Sequence, residues 1–173
     1  IIRNTESVCL RGDPEKIISA VCTDSRLACP GALFVALKGE RFDGHTFIPA
    51  VCEAGATAVL CSGISREQAV GLPGDTAILC VPDTLKALGD LAGAVRGKLK
   101  IPVIGITGSV GKTSTKDLTA AALSSVKNTA KTRLNYNNEI GLPMTVFSVT
   151  PDHEALVGEM GMRGLGEIAY LSE

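Results

Sequence analysis

Residues 101–114 constrain the fold more than any other stretch of this chain. Their sequence, IPVIGITGSVGKTS, runs from apolar residues through a glycine-containing turn to Lys112 and Thr113. In residues 115–126, apolar side chains then recur at the spacing of a helix. The stretch therefore predicts a β-strand, a phosphate-binding turn and the start of an α-helix.

The residue types in this turn suit a nucleotide triphosphate. Gly108 and Gly111 permit backbone conformations in which successive N–H groups converge on phosphate oxygens, and the helix start adds its own free N–H groups. Lys112 would reach the β- and γ-phosphates, and the Thr113 hydroxyl would bind Mg²⁺. The commonest form of such a loop has glycine where this chain has Ile106, so the loop is a variant; the alternative is a chance glycine turn before a helix. The residues expected to contact the nucleotide are Thr107, Gly108, Ser109, Val110, Gly111, Lys112, Thr113 and Ser114.

Composition and charge exclude several classes of protein. The chain has 173 residues, enough for one or two domains, and 45% of them are hydrophobic. Its net charge of −1 and pI of about 6.2 give no basic patch for nucleic acid or an anionic membrane. No apolar run is long enough to span a membrane, and the first residues do not resemble a signal peptide, so we expect a cytoplasmic protein.

Cysteine usage favours reduced thiols. The six cysteines are confined to the first half of the chain and form no C-x-x-C pair. Several fall in apolar segments, where a free thiol acts as a small hydrophobic group. With only two histidines and no ligand spacing, a zinc site has little support.

In the first ninety residues, glycines and prolines separate short apolar segments, a pattern that predicts a small α/β module. Strands are predicted at residues 17–23, 31–37, 58–61 and 76–81, and helices at 47–54 and 84–96. Asp83 and Thr84 offer an N-cap for the last helix. We place a domain boundary near residue 98, which separates residues 1–98 from residues 99–173.

Beyond the loop helix, the apolar pattern predicts a parallel sheet that ends in an acidic residue. Residues 128–132 suggest a short strand and residues 133–138 a polar loop, whereas the pattern leaves helix or strand open for residues 144–149. Residues 154–159 are typical of a buried strand that ends at Glu159. Ligands of open parallel sheets bind at the carboxyl ends of the strands. We therefore expect Glu159 to face Lys112 and to hold Mg²⁺ with Thr113, the alternative being a surface carboxylate.

Several motifs in order resemble the Mur ligases of peptidoglycan synthesis. The motifs are TGSVGKT at 107–113, NYNNEIGLP at 135–143, GEMGM at 158–162 and GEI at 166–168. TDSR at 23–26, LFVALKG at 33–39 and FDGHTF at 42–47 also resemble the part of these enzymes that holds a UDP-sugar. The resemblance covers nearly the whole chain. It implies a small amino-terminal α/β domain for the UDP substrate, followed by the start of a P-loop-type parallel-sheet ATPase domain.

The resemblance also implies an activity, cofactors and site residues. Such ligases use ATP and Mg²⁺ to phosphorylate the terminal carboxylate of a UDP-linked peptide, and an amine then attacks the acyl phosphate. The motifs most resemble the branch of the family that adds D-alanyl-D-alanine to UDP-N-acetylmuramoyl-tripeptide. Lys112, Glu159 and Asn138 are the expected catalytic residues. Asn137 and Asn138 match a family loop beside the nucleotide, although which one faces the phosphates stays open, and turn-forming asparagines are the alternative.

In the first module, the resemblance marks four residues for the UDP-linked substrate. Ser25 and Arg26 are the first choices, since a hydroxyl and a guanidinium suit diphosphate, ribose and uracil oxygens. Lys38 and His45 are second choices. A lone arginine or histidine is more often a solvated or capping residue.

Family members continue beyond Glu173 with the rest of the central sheet, a carbamylated lysine and a third domain. We therefore expect this chain to be a fragment that does not ligate by itself, from a monomeric enzyme. Two alternatives stay open: another ligase with the same loop (a diaminopimelate- or lysine-adding Mur ligase, or folylpolyglutamate synthetase) and a non-catalytic nucleotide-binding module.

Overall fold

The chain divides into two compact units. The computed structural model describes residues 1–162 and 164–172, and the units are Ile1–Leu91 and Ala92–Glu173. The division falls inside a helix, Thr84–Arg96. The domain boundary expected near residue 98 stays a prediction.

The first unit is built on a mixed sheet. Its strands are β1 (Val8–Arg11), β2 (Ala20–Cys22), β3 (Ala32–Val35), β4 (Ala58–Cys61) and β5 (Ala77–Cys80), and its helices are α1 (Ile48–Glu53), α2 (Arg66–Val70) and α3 (Thr84–Arg96), with short 3₁₀ turns at Ile2–Asn4, Ser25–Leu27 and Gly44–Phe47. The strand order is β1-β5-β4-β3-β2. Strands β2, β3, β4 and β5 pair in parallel with one another, whereas the edge strand β1 pairs antiparallel with β5.

The central strands of this unit are apolar at every position because both faces of the sheet are covered. All four residues of β3 and of β4 are buried, as is typical of parallel strands packed between layers. Phe34, Val59 and Ile78 contribute to one core with Ile48 and Val51 of α1. The α/β class predicted from the sequence is confirmed.

Most elements predicted for the first unit are present, but one strand is shorter than predicted and two elements were missed. The prediction of a strand over residues 17–23 was too long, because only Ala20–Cys22 pair with β3 and Ile17 is exposed. Helix α2 was missed in a segment interpreted as a link, although Ser65 and Gln68 form a capping box there. Strand β1 was also missed.

All six cysteines are free in the structure. Burial raises the pKa of the Cys22 thiol to about 11 and that of Cys61 to about 12.

The second unit carries the phosphate-loop segment on a parallel sheet. Its elements are β6 (Val103–Ile106), α4 (Lys112–Ser124), β7 (Thr129–Lys131), α5 (Gly141–Phe147), β8 (Ala155–Glu159) and α6 (Glu167–Ser172). In the described residues the strand order is β6-β8-β7, with β8 parallel to both neighbours. Strand β8 is buried at every position. Glu159, the last residue of the central strand β8, therefore lies at the carboxyl edge of the sheet.

The structure settles the segment that the sequence left open. Most of residues 144–149 belong to helix α5, which begins at Gly141. Helix α6 was not predicted. Within residues 1–162 and 164–172, no helix combines the length and apolar character needed to cross a membrane.

Candidate active site at the carboxyl ends of the second sheet

The phosphate-loop segment has the backbone that its glycines predicted. Gly108 and Gly111 adopt φ angles of 147° and 77°, in the region that favours glycine. Helix α4 starts at Lys112 without a side-chain cap on its first N–H groups. The Lys112 Nζ donates a hydrogen bond of 2.7 Å to the Gly108 carbonyl oxygen. The loop is thus folded around its own lysine, with the helix amino terminus directed into the turn.

Ile106 explains why the loop departs from the common pattern. It is the last residue of β6, where it pairs with Glu159 of β8. The position that carries glycine in commoner loops is therefore part of the sheet in this protein, and the turn begins at Thr107.

Glu159 lies beside the loop as a buried carboxylate whose two oxygens differ in their hydrogen bonds. The residue is 2% exposed. Oε1 accepts hydrogen bonds from Asn137 Nδ2 at 2.9 Å and from Thr113 Oγ1 at 3.3 Å. Oε2 is buried and has no hydrogen-bond partner among the described residues. An unsatisfied buried carboxylate oxygen is costly, so this atom is a candidate position for a cation or a water.

The two asparagines of the polar loop have different roles in the fold. Asn137 contacts Glu159, as described above. The Asn138 Oδ1 instead accepts hydrogen bonds from the backbone N–H groups of Gly141, at 2.8 Å, and Ile140, at 3.3 Å. Asn138 therefore caps the start of α5, and of the two asparagines it is Asn137 that the structure brings to the carboxylate.

Close packing explains the glycines around Glu159. A Cβ at Gly161 would lie 3.1 Å from the Asn137 side chain, and a Cβ at Gly105 would lie 2.5 Å from the Met160 Cε. The Gly161 N–H also donates to the Asn137 carbonyl oxygen at 2.7 Å. The glycines of the GEMGM motif and of β6 thus let neighbouring segments approach the carboxylate.

Two polar residues of the site were not found from the sequence. Lys116, on the second turn of α4, is 2% exposed, and its Nζ lies 3.8 Å from Glu159 Oε2. Thr132 is fully buried, and its Oγ1 accepts a hydrogen bond from the Glu159 N–H. The only hint in the sequence is that Lys116 follows Lys112 by one helical turn, which places both on a similar side of α4.

In the first unit, the residues expected at the UDP end lie in two local networks. Asp24 caps the turn Ser25–Leu27 and also binds the Arg26 guanidinium through Nε and Nη2. These hydrogen bonds lower the pKa of Asp24 to about 2. The Arg26 side chain is 86% exposed, so it is accessible although its charge is paired.

His45 forms the second network. Its Nδ1 lies 2.6 Å from Asp43 Oδ1, and its Nε2 accepts a hydrogen bond from the Ser62 N–H at 3.0 Å. This arrangement assigns the ring proton to Nδ1. Lys38 is exposed and forms an isolated β-bridge with Asp43. For His45, both ring nitrogens already have hydrogen-bond partners within the fold, Asp43 and Ser62.

Two family models match the chain. The model described as Mur ligase family, catalytic domain, matches residues 17–96, and the model described as Mur ligase middle domain matches residues 106–173. Together the two matched ranges contain all of the motifs that resemble this family. The chain belongs to the Mur ligase family.

Relatives and solved structures agree with this membership. Among curated proteins, the UDP-N-acetylmuramoyl-tripeptide--D-alanyl-D-alanine ligases of Synechocystis sp. and Escherichia coli are 49% and 47% identical to this Mur ligase chain, over 90% and 88% of its length. Among solved structures, a MurF from Acinetobacter baumannii matches with a TM-score of 0.86 and 36% identity. The match covers 99% of this chain and 37% of the MurF chain. A MurF ligase from Thermotoga maritima in complex with ADP matches 88% of this chain and 34% of its own, with a TM-score of 0.76 and 34% identity.

The chain spans about a third of the length of the curated relatives that it matches, 34% for the Synechocystis ligase and 32% for the Escherichia coli ligase.

Proposed function

We propose that the full-length protein carrying this chain is an ATP-dependent ligase that joins D-alanyl-D-alanine to UDP-N-acetylmuramoyl-tripeptide. The observation that carries the proposal is the convergence of Thr113, Asn137 and Glu159 beside a loop with positive φ at both glycines. Support also comes from the relatives whose printed name states this reaction and from the neighbour solved in complex with ADP. The activity belongs to peptidoglycan precursor synthesis.

The reaction needs stabilisation of phosphate charge rather than a nucleophilic side chain. A carboxylate oxygen of the peptide attacks the γ-phosphorus, and the bond to ADP breaks. The amine of the dipeptide then attacks the acyl carbon, phosphate leaves, and the amine nitrogen loses a proton. Lys112 and the N–H groups of the loop would bind the transferring phosphoryl group. Lys112 would exchange its 2.7 Å hydrogen bond to the Gly108 carbonyl oxygen for phosphate oxygens.

The residues beside the loop fit a magnesium ion. Thr113 offers a hydroxyl and Glu159 a carboxylate, and hard oxygen donors suit Mg²⁺. Glu159 Oε2 has no hydrogen-bond partner among the described residues, which leaves that buried oxygen free to accept a cation or a bound water. Mg²⁺ bound there would neutralise charge on the phosphates. Asn137 would orient the carboxylate through Oε1, and Asn138 would support the same loop by capping α5.

We propose that the first unit binds the UDP-linked substrate through Ser25, Arg26 and Lys38. The 86% exposure of the Arg26 side chain supports direct contact with a diphosphate. Because both His45 nitrogens are engaged, His45 would act by holding Asp43 and Ser62 in place. Because the reaction consumes ATP, we also propose that the enzyme works in the cytoplasm.

The decisive assay is ADP release by the full-length protein. Release should require UDP-N-acetylmuramoyl-tripeptide and should be fastest with D-alanyl-D-alanine among a panel of amine acceptors that includes diaminopimelate and lysine. Lys112→Ala should lower kcat by about a hundredfold or more, as expected when a main charge partner of a transferred phosphate is removed.

Lys127→Ala is a matched control. Lys127 lies in the same unit, is partly exposed and faces Glu154 at 4.0 Å, away from the loop. Its activity should equal that of the wild type. Equal activity of Lys112→Ala and wild type would overturn the phosphate-loop mechanism, and a preference for another acceptor would overturn the proposed substrate.

A further inference from the structure

Lys116 is a buried cation close to the candidate metal ligand. Its side chain is 3% exposed, on the face of α4 that packs toward β8. Burying an ammonium group is expensive unless a countercharge accompanies it. The fold therefore retains this lysine where an apolar side chain of similar length would pack at lower cost.

The Lys116 ammonium group has two carboxylate neighbours, and only one of them is buried. Asp117 Oδ1 lies 3.5 Å from Nζ, but the Asp117 side chain is 48% exposed and accepts a hydrogen bond of 2.6 Å from Lys131. Glu159 Oε2 lies 3.8 Å from the same Nζ, and the Glu159 side chain is 3% exposed. Asp117 also interacts with Lys116 but is shared with Lys131 and with solvent, so Glu159 is the buried countercharge of Lys116.

The contact complements the way the rest of the site holds Glu159. Thr113 and Asn137 both donate to Oε1, whereas Oε2 has no hydrogen-bond partner among the described residues. A separation of 3.8 Å is too long for a hydrogen bond but short for a Coulomb interaction between buried charges. Lys116 thus acts on the oxygen that the hydrogen bonds leave unrestrained.

We propose that Lys116 is a positioning residue that holds the Glu159 carboxylate in place by charge and weakens its affinity for a bare divalent cation. Together the two side chains have no net charge, so the empty site presents little attraction to a free metal ion. The phosphates of the nucleotide then supply the negative charge that brings the metal in. This inference rests on the proposed function, because it takes Glu159 as the residue that faces the metal.

The first test measures binding of Mn²⁺ alone, without nucleotide, to the full-length protein by electron paramagnetic resonance. Lys116→Met keeps the length of the side chain and removes its charge. It should bind Mn²⁺ at least roughly tenfold more tightly than the wild type, because the Coulomb repulsion between a single and a double charge across several ångströms has this effect even in a water-like dielectric and is stronger at a buried site. The increase should vanish in Lys116→Met/Glu159→Gln. A merely structural role of Lys116 would leave the Mn²⁺ affinity unchanged, and that result would overturn the proposal.

The second test uses thermal unfolding without metal and covers the case in which Lys116→Met folds poorly. Because the single variant leaves a buried carboxylate without its countercharge, its Tm should fall. The double variant, with two neutral side chains, should recover much of that loss. A double variant that is no more stable than Lys116→Met, or that is unfolded, would overturn the proposal.

Glu159→Gln alone separates this inference from the proposed function. If ADP release by Glu159→Gln retains the Mg²⁺ dependence of the wild type, the metal role of Glu159 fails. If that dependence changes while Lys116→Met binds Mn²⁺ as the wild type does, only the role of Lys116 fails.

Discussion

Gly141 offers a direct test of the packing that holds the asparagine loop. It is buried at the start of α5, and a Cβ there would lie 2.3 Å from the Cα of Tyr136 and 2.4 Å from its carbonyl carbon. Ordinary contacts of this kind begin at 3.4 Å, so the Tyr136 backbone would have to move by roughly 1 Å. Backbone atoms cannot rotate out of the way as a side chain can.

We expect Gly141→Ala to lower the free energy of unfolding by about 2 kcal/mol. Overpacking costs about 1–3 kcal/mol, and a backbone clash belongs at the upper end of that range. The better helix propensity of alanine offsets at most about 1 kcal/mol. Because Asn137 directly follows Tyr136, the displacement should also weaken the hydrogen bond from Asn137 to Glu159.

The assay is urea unfolding followed by circular dichroism, with Gly93→Ala as the matched control. Gly93 lies inside α3, and beyond its chain neighbours and the backbone of its own helix nothing lies within 4 Å of a Cβ built there. Its replacement should raise the free energy of unfolding by about 0.5–1 kcal/mol, because alanine loses less entropy on folding. If Gly141→Ala were as stable as the wild type, the reasoning from the Tyr136 contact would be refuted.

Two further predictions concern the first unit. Since the pKa of Asp24 is lowered to about 2 by Arg26, its stabilising contribution is complete above the ordinary value of 3.8 and is lost as the pH falls toward 2; Asp24→Asn should therefore show a smaller loss of Tm between pH 4 and pH 2, and an unchanged acid profile would contradict this. Since burial raises the pKa of Cys61 to about 12, its thiol should resist Ellman's reagent at pH 8, whereas the exposed Cys29 should react quickly. Mass spectrometry of the labelled peptides distinguishes the two sites, and equally fast labelling of Cys61 would exclude its burial.

Local signals predicted the elements whose causes lie in neighbouring residues. Asp83 accepts from the N–H groups of Leu85 and Lys86, and α3 starts at Thr84 as its capping signal indicated. Gly55 follows α1 with a φ angle of 77°, as a helix-ending glycine should. Helix α2 was missed although its capping box of Ser65 and Gln68 is also local, because the helix has only five residues and too few apolar positions to show a helical period.

Long-range contacts decided what the sequence left open. Asn137 and Asn138 are adjacent and chemically identical, and in the fold it is Asn137 that packs against Gly161 and donates to Glu159. The apolar residues 144–149 suited either a strand or a helix, and the burial of Val146 against Leu156 accompanies the helix. The sequence left both questions open because Asn137 meets Glu159, and Val146 meets Leu156, only when distant parts of the chain pack together.

The loop at residues 107–113 and the burial of Lys116 separate the two sources of information. The sequence alone determined the loop, since glycine is the residue type that readily adopts the positive φ angles at Gly108 and Gly111. Lys116 has a charged side chain that is exposed on most helices, and only the packing of α4 against β8 buries it 3.8 Å from Glu159. Backbone conformation depends on the residue itself, whereas the burial of a charge depends on which strand the fold places opposite it.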